Sequence, residues 1–421
     1  MVRPDGRDNS LIRRLGLTDA IVIGLGSMIG AGVFAVFGPA AAVAGSGLLI
    51  SLLLAGVVAF CNAISSARLA ALYPESGGTY VYGKRRLGEF WGYLAGWSFV
   101  VGKTASCAAM ALTFAAYAAP EHLRIVAVLI VVALTAVNLR GLQKSAWLTR
   151  LIVVLTLLTL IVVVVGAFVG GNASTQNLSP FPGGDLRGIL QASGLIFFAF
   201  AGYARVATLG EEVRDPARTI PRAIVIALCM TLCVYAIVAL AALLALGAPA
   251  LAASSAPLHD VVASGELHRA APLVQVGGAI AAAGSLLALI LGVSRTTFAM
   301  ARDGHFPRRL AAVHPSHGTP YRAELGAAAV IIVLIATVDL RHAIGFSSFG
   351  VLLYYAVANA SALTLGRPGE RRPARWLPSL GLGGCLLLVV SLPAATILAG
   401  VVVLLIGGVV WGVRARLTRQ P

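Results

Sequence analysis

The chain has 421 residues, of which 58% are hydrophobic and only 11% charged, and its mean hydropathy is +0.90. Soluble domains carry about 25% charged residues, so this composition excludes a soluble enzyme or binding module and indicates an integral membrane protein. The net charge of +16 does not indicate nucleic acid, because the basic residues fall between apolar segments and form no separate basic face.

A bilayer-spanning helix takes about 20 apolar residues. About twelve segments qualify, roughly at 18–43, 47–73, 88–117, 123–139, 147–170, 188–212, 221–245, 271–296, 323–338, 342–365, 376–394 and 396–413. The loops between them are short, so residues 1–421 read as a single all-α transmembrane domain. Met1 to Arg14 is polar and lacks the apolar core and cleavage site of a signal peptide, which leaves targeting to the first helix. Thr18 and Asp19 are its expected N-cap pair.

The middle of that first helix is Gly24-Leu25-Gly26-Ser27-Met28-Ile29-Gly30-Ala31-Gly32-Val33-Phe34. Each helical glycine costs about 1 kcal/mol against alanine. In a bilayer a helix opens only where its freed N–H and C=O groups line a cavity or are buried in protein. A glycine-rich break halfway through a span therefore points to a transport site. The alternative is a G-x-x-x-G packing seam, which Gly26 and Gly30 also satisfy but which needs neither Ser27 nor the additional glycines.

After the second helix, Tyr73-Pro74-Glu75-Ser76-Gly77-Gly78-Thr79-Tyr80-Val81-Tyr82-Gly83-Lys84-Arg85-Arg86 reads as a glycine turn and a short amphipathic helix, anchored at the membrane surface by its tyrosines and arginines. The sixth helix repeats the logic of the first. Phe197-Phe198-Ala199-Phe200-Ala201-Gly202-Tyr203-Ala204-Arg205 sets a small pair between aromatics near mid-span, on a helix running opposite to the first. In the loop 246–270, Pro257 stands at a plausible first helical position for a short lid.

Of 32 Lys and Arg, only Arg124, Arg187, Arg269 and Arg341 fall in the loops opposite the termini; Arg68, Lys103, Arg205 and Arg295 lie within or at the edges of helices. The remaining 24 share the side of the termini, which places both termini in the cytoplasm. The acids, among them Asp19, Glu75, Glu211 and Asp339, fall in loops or at helix ends, and the seven histidines in loops. The charges left within the span are Lys103 and Arg205. The five cysteines sit in apolar segments without metal-ligand spacing and read as small hydrophobes.

Gly26 to Phe34, Pro74 to Tyr80, Phe198 to Tyr203, Glu211-Glu212-Val213-Arg214-Asp215-Pro216 with Thr219-Ile220-Pro221-Arg222, and Ser294-Arg295 running into Ala299-Met300-Ala301-Arg302-Asp303-Gly304 follow one another in a specific order and spacing. In that order the chain resembles the amino acid–polyamine–organocation family of permeases from about Leu11 to Leu365, while the last two helices carry little of the pattern. The resemblance implies a five-plus-five inverted-repeat fold, with broken helices 1 and 6, repeats roughly at 18–170 and 188–365, and two additional helices over 376–413. It implies transport of amino acids by alternating access. In such a site, built from Gly26, Ser27, Met28, Ile29, Gly30, Ala31 and Gly32, the freed backbone N–H groups of about Ser27 to Ala31 receive the substrate carboxylate. The carbonyls of Phe200, Ala201 and Gly202 accept from its ammonium. Phe200 and Tyr203 serve as gate or pocket wall, with ordinary packing the alternative for both.

Proton-coupled relatives often carry a lysine in the fifth helix, and that position is Thr156 here. Lys103 is one candidate to replace it, as a titratable or fixed cation; a lysine that merely ties its helix to a neighbouring carbonyl is the other reading. Thr156 with Ser285 could instead offer oxygens to Na⁺, and exchange without ion coupling also fits. Lys103 and Arg205 make the interior positive and acid-free, which favours neutral or acidic amino acids over arginine, lysine or polyamines, unless Arg205 snorkels out to Glu211 or Glu212. The expected protein is a multi-pass permease or exchanger of the plasma (inner) membrane. It has no catalytic constellation, cofactor, metal site or nucleic-acid partner, and oligomerisation is left open. Rival readings are an amino-acid sensor that binds without transport, and a permease for cationic amino acids or polyamines.

Overall fold

The computed structural model describes residues 15–73, 77–141, 146–207, 213–315, 317–367, 370 and 374–417. Among them the elements are helical, with one isolated parallel bridge between Leu15 and Val213. The first predicted helix is three pieces, α1 (Leu17–Met28), α2 (Ala31–Ala35) and α3 (Phe37–Ala44). α4 (Leu48–Leu72), the short α5 (Thr79–Leu87), α6 (Glu89–Ala118), α7 (Leu123–Leu139) and α8 (Ala146–Val169) follow. The sixth predicted helix is again divided, into α9 (Leu186–Phe200), a 3-10 turn over Ala201–Tyr203 and α10 (Ala204–Ala207).

α11 (Pro216–Ala253) turns at Gly247, where φ is +72°, and leads to α12 (Pro257–Ala263), a short helix that starts at Pro257. α13 (Ala271–Arg302), α14 (Tyr321–Thr337), α15 (Leu340–Leu363), α16 (Trp376–Ser391) and α17 (Ala394–Leu417) complete the chain. Among the described residues, ten helical segments are long and apolar enough to cross a membrane. α14 and α16, at 17 and 16 residues, are shorter and stand at the ninth and eleventh predicted positions.

Burial ranks these helices. The apolar window of α15 is 83% buried and those of α6 and α9 are 72%, whereas α7 reaches 22% and α17 only 17%. α15, α6 and α9 are therefore the centre of the bundle. Residues such as Leu129, Leu398 and Val409 form an exposed apolar jacket suited to lipid. Cys61, Cys107 and Cys385 are buried, and Cys229 and Cys233 are exposed on α11; all five are free thiols.

Loop contacts define two faces. On the face of the chain termini, Arg150 pairs with Asp19, Thr319 Oγ1 donates to Leu139 O at 3.2 Å, and Arg86 pairs with Glu370 at 2.6 Å. On the far face, Asn172 Nδ2 donates to Val261 O at 3.0 Å and Ser174 N to Leu244 O at 2.9 Å.

Three local expectations change. The cap of α1 is Gly16 rather than Thr18, with Asp19 Oδ2 accepting from Gly16 N–H at 3.1 Å. α5 is no surface anchor: Tyr80 and Tyr82 are buried, and Thr79 N donates to Tyr354 Oη at 2.9 Å, because α15 offers it an apolar and hydrogen-bonding seat. Glu324 is at a helix end as expected but fully buried in the first turn of α14, with Ser294 Oγ at 3.5 Å. Pro74 to Ser76 and Glu211–Glu212 lie outside the described residues.

Candidate substrate site

The break in the first helix falls at Ile29 and Gly30. Ile29 N closes the last turn of α1 on Leu25 O at 2.6 Å, and Gly30 N turns back to Met28 O at 2.9 Å. Gly30 itself is extended (φ −140°, ψ −140°), and α2 starts at Ala31. Polar groups from other helices meet the groups thus released. Ala31 N donates to Ser285 Oγ at 3.4 Å, and Tyr235 Oη donates towards Met28 O at 2.5 Å and Ala199 O at 3.2 Å.

The second break is tighter. The 3-10 turn at Ala201–Tyr203 points the Ala201 carbonyl at Lys103 Nζ (3.4 Å) and Tyr355 Oη (3.3 Å). The two breaks touch. A methyl group added at Gly202 would stand 2.0 Å from Ser27 O and 2.7 Å from Met28 N, so only a residue without a side chain lets the two backbones approach. Gly30 faces Ser285 in the same way, its virtual Cβ 2.0 Å from Oγ.

Ser27, Met28, Ile29, Gly30, Ala31, Gly32, Ala201 and Gly202 are thus assembled at one junction, with Gly32 packed on Ala199. The Ser27 hydroxyl is turned away, donating to Ile23 O at 2.7 Å. Gly26 lies outside the junction, against Val153 of α8. Phe200 and Tyr203 pack rather than stand free: Phe200 tilts on Tyr235 at 5.3 Å, and Tyr203 stacks on Tyr355 at 4.9 Å.

The coupling candidates separate. Lys103 is buried and reaches the second break. Ser285 serves Ala31, while Thr156 Oγ1 donates within its own helix to Ile152 O at 2.7 Å, so the two oxygens have different partners. Arg205 is exposed on α10, which leaves Lys103 as the interior cation of the two. The sequence reading passed over Tyr117, Tyr235 and Tyr355. Their signal was a tyrosine inside an apolar span, whose hydroxyl needs a partner when buried; here each partner is a carbonyl in or beside a broken helix. Tyr235→Phe leaves two buried carbonyls short of a donor, a cost of about 1–3 kcal/mol. We expect it to slow exchange about tenfold with the protein still folded, as counterflow and thermal melting would read.

Closing contacts lie on either side. On the far face, Leu258 N of α12 donates to Tyr117 Oη at 3.3 Å, which donates to Phe34 O at 3.1 Å. On the terminal face, Tyr80 of α5 donates to Asp303 Oδ2 at 2.6 Å and lies 2.9 Å from His305 Nδ1. Arg86 and the N–H groups of Gly366 and Arg367 hold the Glu370 carboxyl down to about 2, so that ion pair persists at physiological pH.

His305 faces Glu89, Asp303, Lys84, Arg414 and Tyr80, and burial pushes its pKa below the ordinary 6.5 despite the pull of the two carboxylates. The unfolded chain thus binds the proton more readily. The stability from neutral His305 is complete above pH 6.5 and lost as pH falls from there through the lower folded value. Acidification from pH 7 to about 5.5 should therefore lower the melting temperature more in the wild type than in His305→Gln.

Comparison with known proteins gives the same family throughout the chain. The family model "Amino acid permease" matches residues 15–413, including the last two helices. An uncharacterized transporter of Mycobacterium tuberculosis is 62% identical over 100% of this chain and 96% of its own length. A branched-chain amino acid permease of Bacillus subtilis is 27% identical, covering 97% of this chain and 94% of its own. The human cationic amino acid transporter 4 is 27% identical over 88% of this chain and 63% of its own.

Proposed function

The chain belongs to the amino acid permease family, and from that premise we propose that it is a secondary transporter carrying neutral or acidic amino acids across the plasma membrane by alternating access. The observation that supports this reading is the meeting of two broken helices at Ser27 and Gly202. Backbone groups freed there are held by side chains of other helices, Tyr235, Ser285, Lys103 and Tyr355. Such bonds can be exchanged for those of a zwitterion. N–H groups around Ala31 take the α-carboxylate, carbonyls around Ala201 take the ammonium, and the side chain is left to its own pocket.

Lys103 is the coupling cation in this scheme, its ammonium competing with the substrate's for the second break. With no acid beside the junction among the described residues to balance a second positive charge, cationic side chains are disfavoured. The halves 18–170 and 188–365 act as inverted repeats, and the excess of basic residues on the terminal face makes that face cytoplasmic.

The test is counterflow in proteoliposomes in Na⁺-free buffer with a panel of amino acids that includes L-leucine, L-glutamate and L-arginine. Exchange of leucine or glutamate is expected. Arginine as the best substrate would overturn the substrate class. Binding without exchange, with or without sodium, would make the protein a sensor.

A further inference from the structure

Between α4, α15 and α16 lies a knot of polar side chains that neither the junction nor the closing contacts use. Asn359 Nδ2 on α15 donates to Asn62 Oδ1 on α4 at 2.6 Å and to Tyr355 O at 3.0 Å, and Asn359 Oδ1 accepts from Ser65 Oγ at 2.7 Å. The Cys385 thiol of α16 donates to Asn62 Oδ1 at 3.4 Å. Asn62, Ser65 and Asn359 are fully buried.

Stability does not account for this knot. Hydrogen bonds between helices add little to a membrane bundle, because the separated helices find partners too, and apolar side chains of similar size pack as well. The knot is also incompletely bonded. Asn62 Nδ2 is buried with no hydrogen bond, and so is the Tyr203 hydroxyl, which faces Asn62 and Tyr355. A buried amide carrying that cost points to a geometry it imposes on its neighbours.

The neighbour in question is the second break. Asn359 is four residues beyond Tyr355, about one helical turn, and grips that turn through the Tyr355 carbonyl. The Tyr355 ring stacks on Tyr203 at 4.9 Å and stands edge-on to Phe197 at 5.8 Å, one on each side of the interruption. Its hydroxyl donates to Ala201 O at 3.3 Å, and Lys103 Nζ donates to the same oxygen at 3.4 Å. A carbonyl oxygen has two lone pairs, so both donors are accommodated. A substrate ammonium that displaces Lys103 therefore meets a carbonyl still aimed by Tyr355.

We propose that Asn62 and Asn359 are positioning residues for recognition of the substrate ammonium: they hold Tyr355, and Tyr355 aims the Ala201 carbonyl. The inference rests on the transport reading above. The pair touches no substrate atom; it sets the preference for a 2-amino acid over the same carbon skeleton without the ammonium.

The test is competition in counterflow, with unlabelled L-leucine against 2-hydroxy-4-methylpentanoate and unlabelled L-glutamate against 2-hydroxyglutarate. Each pair differs only in carrying a hydroxyl where the amino acid has its ammonium. Asn359→Leu and Asn62→Leu are expected to reduce the wild-type preference for the amino acid about tenfold. Asn62→Leu/Asn359→Leu should show the same loss with the melting temperature nearer the wild type, because neither amide is left without its partner. Tyr355→Phe should reduce the preference as well, and adding Asn359→Leu to it should reduce it no further, since both act through one hydroxyl. A slower rate with the preference unchanged is a merely structural effect and overturns the proposal. So does a further loss when Asn359→Leu is added to Tyr355→Phe, or a wild type that exchanges an amino acid without preferring it to its hydroxy analogue. A wild type that exchanges no amino acid at all defeats the transport reading instead.

Discussion

Gly202→Ala is expected to reduce exchange by at least about tenfold. The added methyl would stand 2.0 Å from Ser27 O and 2.3 Å from Ser27 C, inside any permitted contact. Overpacking of this kind costs about 1–3 kcal/mol when side chains can rotate away. Here both partners are backbone, so relief requires moving the two broken helices apart. That displacement disturbs the carbonyls of Ala199 and Ala201, with their Tyr235, Lys103 and Tyr355 contacts. The control is Gly292→Ala on α13, where an added methyl meets nothing within 4 Å; exchange and melting temperature should stay at wild-type values. Counterflow rates from matched amounts of protein decide it, and a Gly202→Ala protein at the wild-type rate would remove this junction from the transport path.

Lys103→Met is expected to lower exchange by an order of magnitude or more and to flatten its pH dependence. Lys103 is only 7% exposed, and no carboxylate pairs with its ammonium among the described residues. Its recorded partner is the Ala201 carbonyl, on the turn proposed to hold the substrate ammonium. The charge is thus placed where it responds to that turn, and methionine fills the volume without charge. Lys103→Arg should not rescue coupling, since a guanidinium holds its proton throughout the accessible range. A Lys103→Met protein with the wild-type rate and pH profile would leave this residue a tie between α6 and the second break, and nothing more.

Much of this architecture was legible before any coordinates, because hydrophobic length alone dictates where a chain crosses a bilayer. The predicted segments 123–139 and 147–170 correspond to α7 and α8 nearly residue for residue. The break at Gly30 was legible too, since four glycines within nine residues leave little reason for a continuous helix. The start of the short α12 at Pro257 could be read from a single proline.

Composition and spacing thus determined the membrane class, the course of most spans, the two interruptions and the family pattern. Only the tertiary structure decided which groups answer the freed backbone. Tyr235, Tyr355 and Ser285 lie between about 150 and 260 residues from some of the atoms they contact. A periodicity argument sees only neighbours along one helix, so it cannot pair them. The same limit left Arg205 open between the interior and an outward course until the short α10 turned it outward, and left Arg124, Asp339 and Arg341 as unrelated loop charges until the fold brought them around one cavity. Each helix carries its own apolar pattern, but which polar side chain meets which open carbonyl depends on how all the helices cross.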